Sequence, residues 1–145
     1  MQDSPLDNPF LESLGVHLSV WRDGYAELTM PIDATKLNRQ RVLQGGAIAT
    51  LLDAAAGYAG IFSMPGEVER HAVTLSLTTN FLDKGQGHHV KAIGTLERNG
   101  RSIFFARAEA WVDDTLLVAT AQGTPISRPE SRVKKYPANS CVNSR

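Results

Sequence analysis

The spacing of hydrophobic positions changes twice along the chain, and each change marks a change of element. Pro9-Phe10-Leu11-Glu12-Ser13-Leu14 reads as a short helix, with Asn8 or Asp7 as its cap and Gly15 at its end. Val16, Leu18 and Val20 then alternate with His17 and Ser19, as in a half-buried strand. Asp23-Gly24 predicts a hairpin turn, and Ala26, Leu28 and Met30 alternate with Glu27 and Thr29 on the return to Pro31. A polar loop from Asp33 to Gln40 leads into VLQGGAIATLLDAAAGYAGIF, Val42 to Phe62, which after its glycine pair is small or apolar on all sides. That pattern belongs to a buried helix. After Pro65-Gly66 period two returns, with Val73, Leu75, Leu77 and Phe81 on one face against Thr74, Ser76, Thr78 and Asn80. His89–Arg98 reads as a strand turned by Asn99-Gly100, a type I′ signal; Ser102–Val112 and Thr115–Ile126 follow, joined at Asp113-Asp114. One long helix among about six strands predicts an α+β domain with a mostly antiparallel sheet covering the helix.

Composition narrows the function classes. The chain has 145 residues, enough for one domain with a sizeable core. Lys plus Arg is 15 and Asp plus Glu is 15, so no global field favours nucleic acid or an anionic membrane. The single Cys141 allows no internal disulfide, which suits the cytoplasm, and it stands in a polar tail rather than a nucleophile's setting. MQDSPLDNPFLESLG lacks the basic and apolar regions of a secretory signal. The 45–62 run reaches spanning length only by including Asp53, which favours a buried helix over a membrane span. Residues 1–128 are expected to form the domain, and 129–145 a polar, flexible tail.

Asp53 is the residue this helix has to explain. An unpaired buried carboxylate is costly, no Arg or Lys within the helix pairs with it, and perturbed carboxylates gather at functional sites. A partly exposed turn and a buried, hydrogen-bonded charge are the other readings. Gly45 and Gly46 stand where the helix begins, and its first N–H groups lack internal partners. Those donors and the helix dipole suit a carbonyl oxygen gaining negative charge, although a glycine pair also serves a tight turn. Eight residues of helix separate Asp53 from Gly45, a rise of roughly 12 Å, so the two cannot touch one reacting atom. If they act together, they do so across a two-fold dimer with antiparallel helices, in two shared sites.

Asn38, Gln44-Gly45-Gly46, Leu51, Asp53 and Gly57, within NRQRVLQGGAIATLLDAAAG, resemble the signature of hotdog-fold acyl-CoA thioesterases of the phenylacetate-degradation (PaaI-like) type. That family reads N-x-x-G-x-x-H-G-G followed by L-x-D or L-x-E, and its fold is a long central helix wrapped by an antiparallel sheet. The resemblance covers residues 8–128 and implies hydrolysis of an acyl-CoA thioester to acid and CoA. It makes Asp53 the nucleophile or the general base for water. Gly45, Gly46 and the amide of Asn38, from the partner subunit, would polarise the carbonyl, and Thr74 would hold the water. It implies a homodimer, with a possible pairing of dimers into a tetramer. Coenzyme A enters as part of the substrate, and no cofactor or metal is implied.

The sequence departs from the family at two places: the usual His is Gln44, and the usual mid-loop glycine is Arg41. Glutamine keeps a hydrogen bond but is no general base. This motivates a second reading, a hotdog protein that binds acyl-CoA without turning it over. A hotdog hydratase needs a His–Asp or His–Glu pair, and the helix offers no histidine. Gln44 and a small-residue face around Ala54, Gly57, Tyr58 and Ile61 are the candidate substrate-binding positions, with Lys84, Arg98 and Arg101 as candidates for the phosphates of coenzyme A. His17, His71, His88 and His89 show no metal-ligand spacing; His88-His89 reads as a surface feature, and His71 precedes Thr74 closely enough to approach the site. No serine-nucleophile elbow, phosphate-binding loop or dinucleotide fingerprint is present.

Overall fold

The computed structural model describes residues 6–129. Its elements are α1 (Pro9–Ser13), β1 (His17–Arg22), β2 (Tyr25–Pro31), a 3₁₀ turn (Ala34–Lys36), α2 (Gly45–Ala59), β3 (Arg70–Phe81), β4 (His89–Asn99), β5 (Phe104–Val112) and β6 (Leu116–Pro129). The six strands form one antiparallel sheet in the order β1-β2-β4-β5-β6-β3, curved so that α2 touches every strand. This is the helix-wrapped arrangement that the patterning and the resemblance both predict. The expected tail beyond Pro129, Cys141 included, lies outside the described residues.

Small residues let the helix lie close to the sheet. Ala26, Ala92, Ala106, Ala108 and Ala110 are buried under α2, along with its own Ala55 and Ala56. At Gly94 in β4 a Cβ would come within 2.0 Å of the Ala55 carbonyl oxygen, so the two backbones are in direct contact. At Gly60, just past α2, a Cβ would enter the ring of the buried Phe104 at 2.1 Å. Leu28, Met30, Leu51, Leu52, Val90 and Val118 fill the larger gaps.

Local sequence signals account for most of the boundaries. Asn8 caps α1, accepting from the Leu11 N–H at 3.1 Å, and Pro9 opens the helix. Gly15 and Gly24 both have φ of 73°, the left-handed region that glycine enters without strain. Asp113 and Asp114 take φ of 48° and 58° between β5 and β6. The Asp113 carboxylate accepts from the backbone N–H groups of His88 and His89 at 3.0 and 3.1 Å. These bonds, His89 before His88, hold its carboxyl below the usual carboxylate range. His88 is exposed there, as expected of a surface feature.

Two expectations need correction. Asn99-Gly100 does not form a two-residue type I′ turn: Asn99 pairs with Phe104, residues 100–103 make a longer loop, and neither Asn99 nor Gly100 has positive φ. The Gly100 N–H closes that loop on the Ile103 carbonyl at 2.9 Å. In β3 the apolar residues do not share a face. Thr74 pairs with Pro125 and Ser76 with Thr124, leaving Leu75 as a bulge that reverses the alternation. Leu77 packs on the core, whereas Val73 and Leu75 are 67% and 57% exposed.

Candidate active site

Helix α2 presents Thr50, Asp53, Ala54, Gly57 and Tyr58 along one side, the i, i+3, i+4 spacing of a single helical face, and Ile61 follows just past its end. That face floors a cleft of about 710 Å³, within the size range of small-molecule sites. Ala72 and Thr74 of β3 and residues 63–67 form one wall, and Leu6, Phe10, Leu11 and Trp21 form the other. Glu69, Arg70 and His71 also line it.

Asp53 is half-buried at one end of this cleft, which removes the puzzle of an unpaired carboxylate in an apolar helix. The Thr74 hydroxyl donates to Asp53 Oδ1 at 2.6 Å. The bulge at Leu75 is what aims Thr74 inward, since without it the strand's alternation would continue unbroken. A hydroxyl donating to one carboxylate oxygen fixes the rotamer of the acid and leaves the second oxygen for substrate or water.

Gly45 and Gly46 form the first turn of α2, at the other end of the helix from the cleft. The first intrahelical donors are Ala47 and Ile48, both to the Gln44 carbonyl, at 3.0 and 3.3 Å. The N–H groups of Gly45 and Gly46 precede them and are the helix's orphan donors. A Cβ on Gly46 would meet nothing within 4 Å, while one on Gly45 would touch the Phe81 ring at 3.4 Å. Gln44 is the N-cap, exposed, and makes no side-chain cap hydrogen bond. Its N–H donates to the Lys36 carbonyl at 2.8 Å, tying the helix start to the 3₁₀ turn. There the buried Lys36 ammonium meets Asp33 at 2.7 Å and, with the Thr35 hydroxyl, lowers the Asp33 carboxyl to about 2.

The Asn38 side chain is held by its own loop. Asn38 Oδ1 accepts from the N–H groups of Gln40 and Val42 at 2.9 and 3.3 Å, so the side-chain amide nitrogen is the end left to donate outward. Arg41, where the resemblance expects glycine, has φ of 62°, a conformation that glycine adopts freely and arginine does not.

Within one chain the structure therefore brings Asp53, Thr74, Gly57 and Tyr58 together, and leaves Asn38, Gln44, Gly45 and Gly46 at the far end of α2. The three basic candidates separate as well. Lys84 is exposed beside Gly85, whose carbonyl accepts the Leu43 N–H near the helix start. Arg98 and Arg101 are exposed around the β4–β5 loop, adjoining Phe104 and the C-terminal end of α2. None of the three lines the cleft.

Sequence reading missed Thr50 and Trp21. Thr50 was findable, three residues before Asp53 on the same helical face. Trp21 was not, because its place depends on a long-range bond: its indole N–H donates to the Tyr58 carbonyl at 2.9 Å, and its ring meets Tyr58 and Phe62 edge-on. Among the described residues no group of three or more His, Cys, Asp or Glu is placed to hold a metal ion, and no helix is long and apolar enough to cross a membrane.

Comparison with known proteins identifies the architecture. Residues 40–119 match the family model of the thioesterase superfamily. A medium/long-chain acyl-CoA thioesterase, YigI of Salmonella typhimurium, is 29% identical over 132 residues, covering 80% of this chain and 83% of that protein. A thioesterase family protein from Silicibacter pomeroyi superposes with a TM-score of 0.78 at 28% identity, covering 88% of this chain and 95% of that one. The PaaI protein from the phenylacetic acid degradation operon of Escherichia coli, at 23% identity, shares the fold with a TM-score of 0.73 over 83% and 84% of the two chains. The chain thus belongs to the thioesterase superfamily, enzymes that hydrolyse thioesters, and has the hotdog fold.

Proposed function

We propose that this protein hydrolyses an acyl-CoA thioester to the free acid and coenzyme A, at two sites shared across a homodimer. The observation that carries the reading is the 2.6 Å hydrogen bond from Thr74 to Asp53, which orients a half-buried carboxylate at the end of an open cleft. The YigI relatives, named as medium/long-chain acyl-CoA thioesterases, support the substrate class.

The dimer reading rests on β3. Among the described residues it ends the sheet and pairs only with β6; it runs for 12 residues and exposes Val73 and Leu75. A long apolar edge strand is a template for pairing with another chain. A second copy adding its own β3 antiparallel would cover that edge and set the two α2 helices antiparallel. Asp53 would then face Gly45 and Gly46 of the partner subunit, as the roughly 12 Å helix rise requires. A pairing of two such dimers into a tetramer would use a second surface, because the two-fold contact leaves neither β3 edge open.

The chemistry then needs no cofactor beyond the coenzyme A of the substrate. The partner's Gly46 and the partner's Gly45 donate N–H groups to the thioester carbonyl oxygen, with the amide of the partner's Asn38 beside them. Asp53 takes a proton from water as the water oxygen attacks the carbonyl carbon. The tetrahedral oxyanion collapses, the C–S bond breaks, and coenzyme A leaves as the thiolate. Attack by Asp53 itself gives a mixed anhydride that water later cleaves, with the same donors on the oxyanion. Gln44 beside the donors keeps a hydrogen-bonding group at the position of the family's histidine without adding a base.

Replacing Asp53 by Asn separates hydrolysis from mere binding. Free-thiol release from a panel of acyl-CoA substrates is expected to fall by roughly 10²–10⁴-fold with melting behaviour kept, the range of a lost general base. Turnover that survives the change rules out this mechanism. Tight binding by a wild-type protein that releases no thiol identifies an acyl-CoA-binding protein instead.

A further inference from the structure

The far end of the cleft is closed by a hydrogen bond rather than by packing alone. The Tyr58 hydroxyl donates to the backbone carbonyl of Leu6 at 2.9 Å, joining α2 to the segment before α1 across 52 positions of sequence. A tyrosine hydroxyl is already protonated at neutral pH, and burial, then the charges of Asp7 and Glu12, push this one further above its ordinary range. The segment it holds is shaped for the contact: Asp7 takes a left-handed φ of 42°, and Asn8 caps the helix that follows. Trp21 braces Tyr58 from behind through its bond to the Tyr58 carbonyl and an edge-on ring contact at 5.5 Å. Leu6, Phe10 and Leu11 thereby become the wall over the last turn of the cleft floor.

We propose that this Tyr58–Leu6 bond is the latch that sets the acyl-chain length the enzyme accepts, and that the substrate is a straight acyl chain of about ten carbons. The inference rests on the reading above that Asp53 marks the thioester end. From Asp53 to Ala59 the floor runs six helical residues, roughly 9 Å, and the closing turn, with Gly60 and Ile61 bonded back to Gly57 and Tyr58, carries it to roughly 12 Å at Ile61. An extended chain advances about 1.2 Å per bond, one third of the rise of an extended residue, so about ten bonds fill that length. Gly57, midway along, leaves the passage open: a Cβ there would meet nothing within 4 Å. An aryl-acetyl group would leave most of this length empty.

Two variants test the latch from opposite sides, with kcat/KM measured for acyl-CoA substrates from hexanoyl to hexadecanoyl. Wild type is expected to peak near decanoyl. Tyr58→Phe keeps the ring against Trp21 and removes only the hydroxyl. It should raise the tetradecanoyl-to-decanoyl ratio about five- to tenfold, the scale of one hydrogen bond. Gly57→Leu puts a branched side chain into the passage from a position where a Cβ meets nothing within 4 Å, and should lower the decanoyl-to-hexanoyl ratio on the order of 100-fold, as about four methylenes lose their site. An unchanged length profile in Tyr58→Phe overturns the latch, and an unchanged profile in Gly57→Leu overturns the chain's path. Either failure leaves the hydrolytic reading standing, provided wild type releases thiol and Asp53→Asn does not. A wild type that releases thiol from none of these substrates overturns both.

Discussion

The two ends of α2 have different equipment. Its first turn carries orphan N–H donors on two glycines, bordered by the Asn38 loop and the Phe81 ring, and does not line the cleft. Its second half carries Asp53, the Thr74 contact and the cleft, and has no free backbone donors, because its N–H groups are spent within the helix. On the reading proposed above, one end is suited to stabilise developing negative charge, and the other to move a proton and hold an acyl chain. A helix rigid enough to place both groups accurately is also what keeps them apart. On that reading a single protomer holds the two halves of the site apart, and a second copy would complete it.

Breaking the donor end should have the largest effect after loss of the acid itself. Asn38→Asp retains the oxygen that accepts from Gln40 and Val42, so the loop keeps its shape, but it removes the outward donor. We expect kcat to fall by roughly 10²–10³-fold, the scale of a lost oxyanion donor, with circular dichroism and melting temperature little changed. A smaller effect is expected on the acid end. Thr74→Val removes the hydroxyl that orients Asp53 and should lower kcat about tenfold, while Thr74→Ser restores it. If Thr74→Val is as active as wild type, the 2.6 Å contact has no part in turnover.

The smallest effect concerns strain beside the donors. Arg41 holds a φ of 62° with a side chain that disfavours it. Arg41→Gly should raise stability by about 0.5–1 kcal/mol, read as a melting temperature higher by a few degrees. A lower melting temperature would mean that the arginine side chain makes a contact worth more than the backbone strain.

The same contrast explains what was legible in the sequence. The buried helix, the Asp23-Gly24 hairpin and the six-strand count follow from local periodicity and turn chemistry, which depend on residues close in sequence. The β3 faces did not follow, because a one-residue bulge at Leu75 is invisible to a period-two pattern, yet it decides that Thr74 rather than its neighbours meets Asp53. Asn99-Gly100 carried a turn signal that tertiary pairing overrode, since Asn99 is held in the ladder opposite Phe104. At the site, Asp53 and the glycines stood out because their chemistry conflicts with an apolar helix. The Trp21 and Leu6 contributions depend on contacts 37 and 52 residues away in sequence, and no local rule reaches them.

Mixing two inactive variants tests the shared site most directly. Asp53→Asn homodimers and Asn38→Asp homodimers are dissociated, mixed in equal amounts and allowed to reassociate, and thiol release is followed. In a heterodimer with shared sites, one site combines an intact Asp53 with an intact Asn38 from the other subunit. Activity should therefore return to about a quarter of wild type, because half the dimers are mixed and each has one working site. If reassociation is shown by mass or fluorescence and activity stays at the level of the separate variants, the acid and the donors serve within one chain, and the shared-site account is wrong.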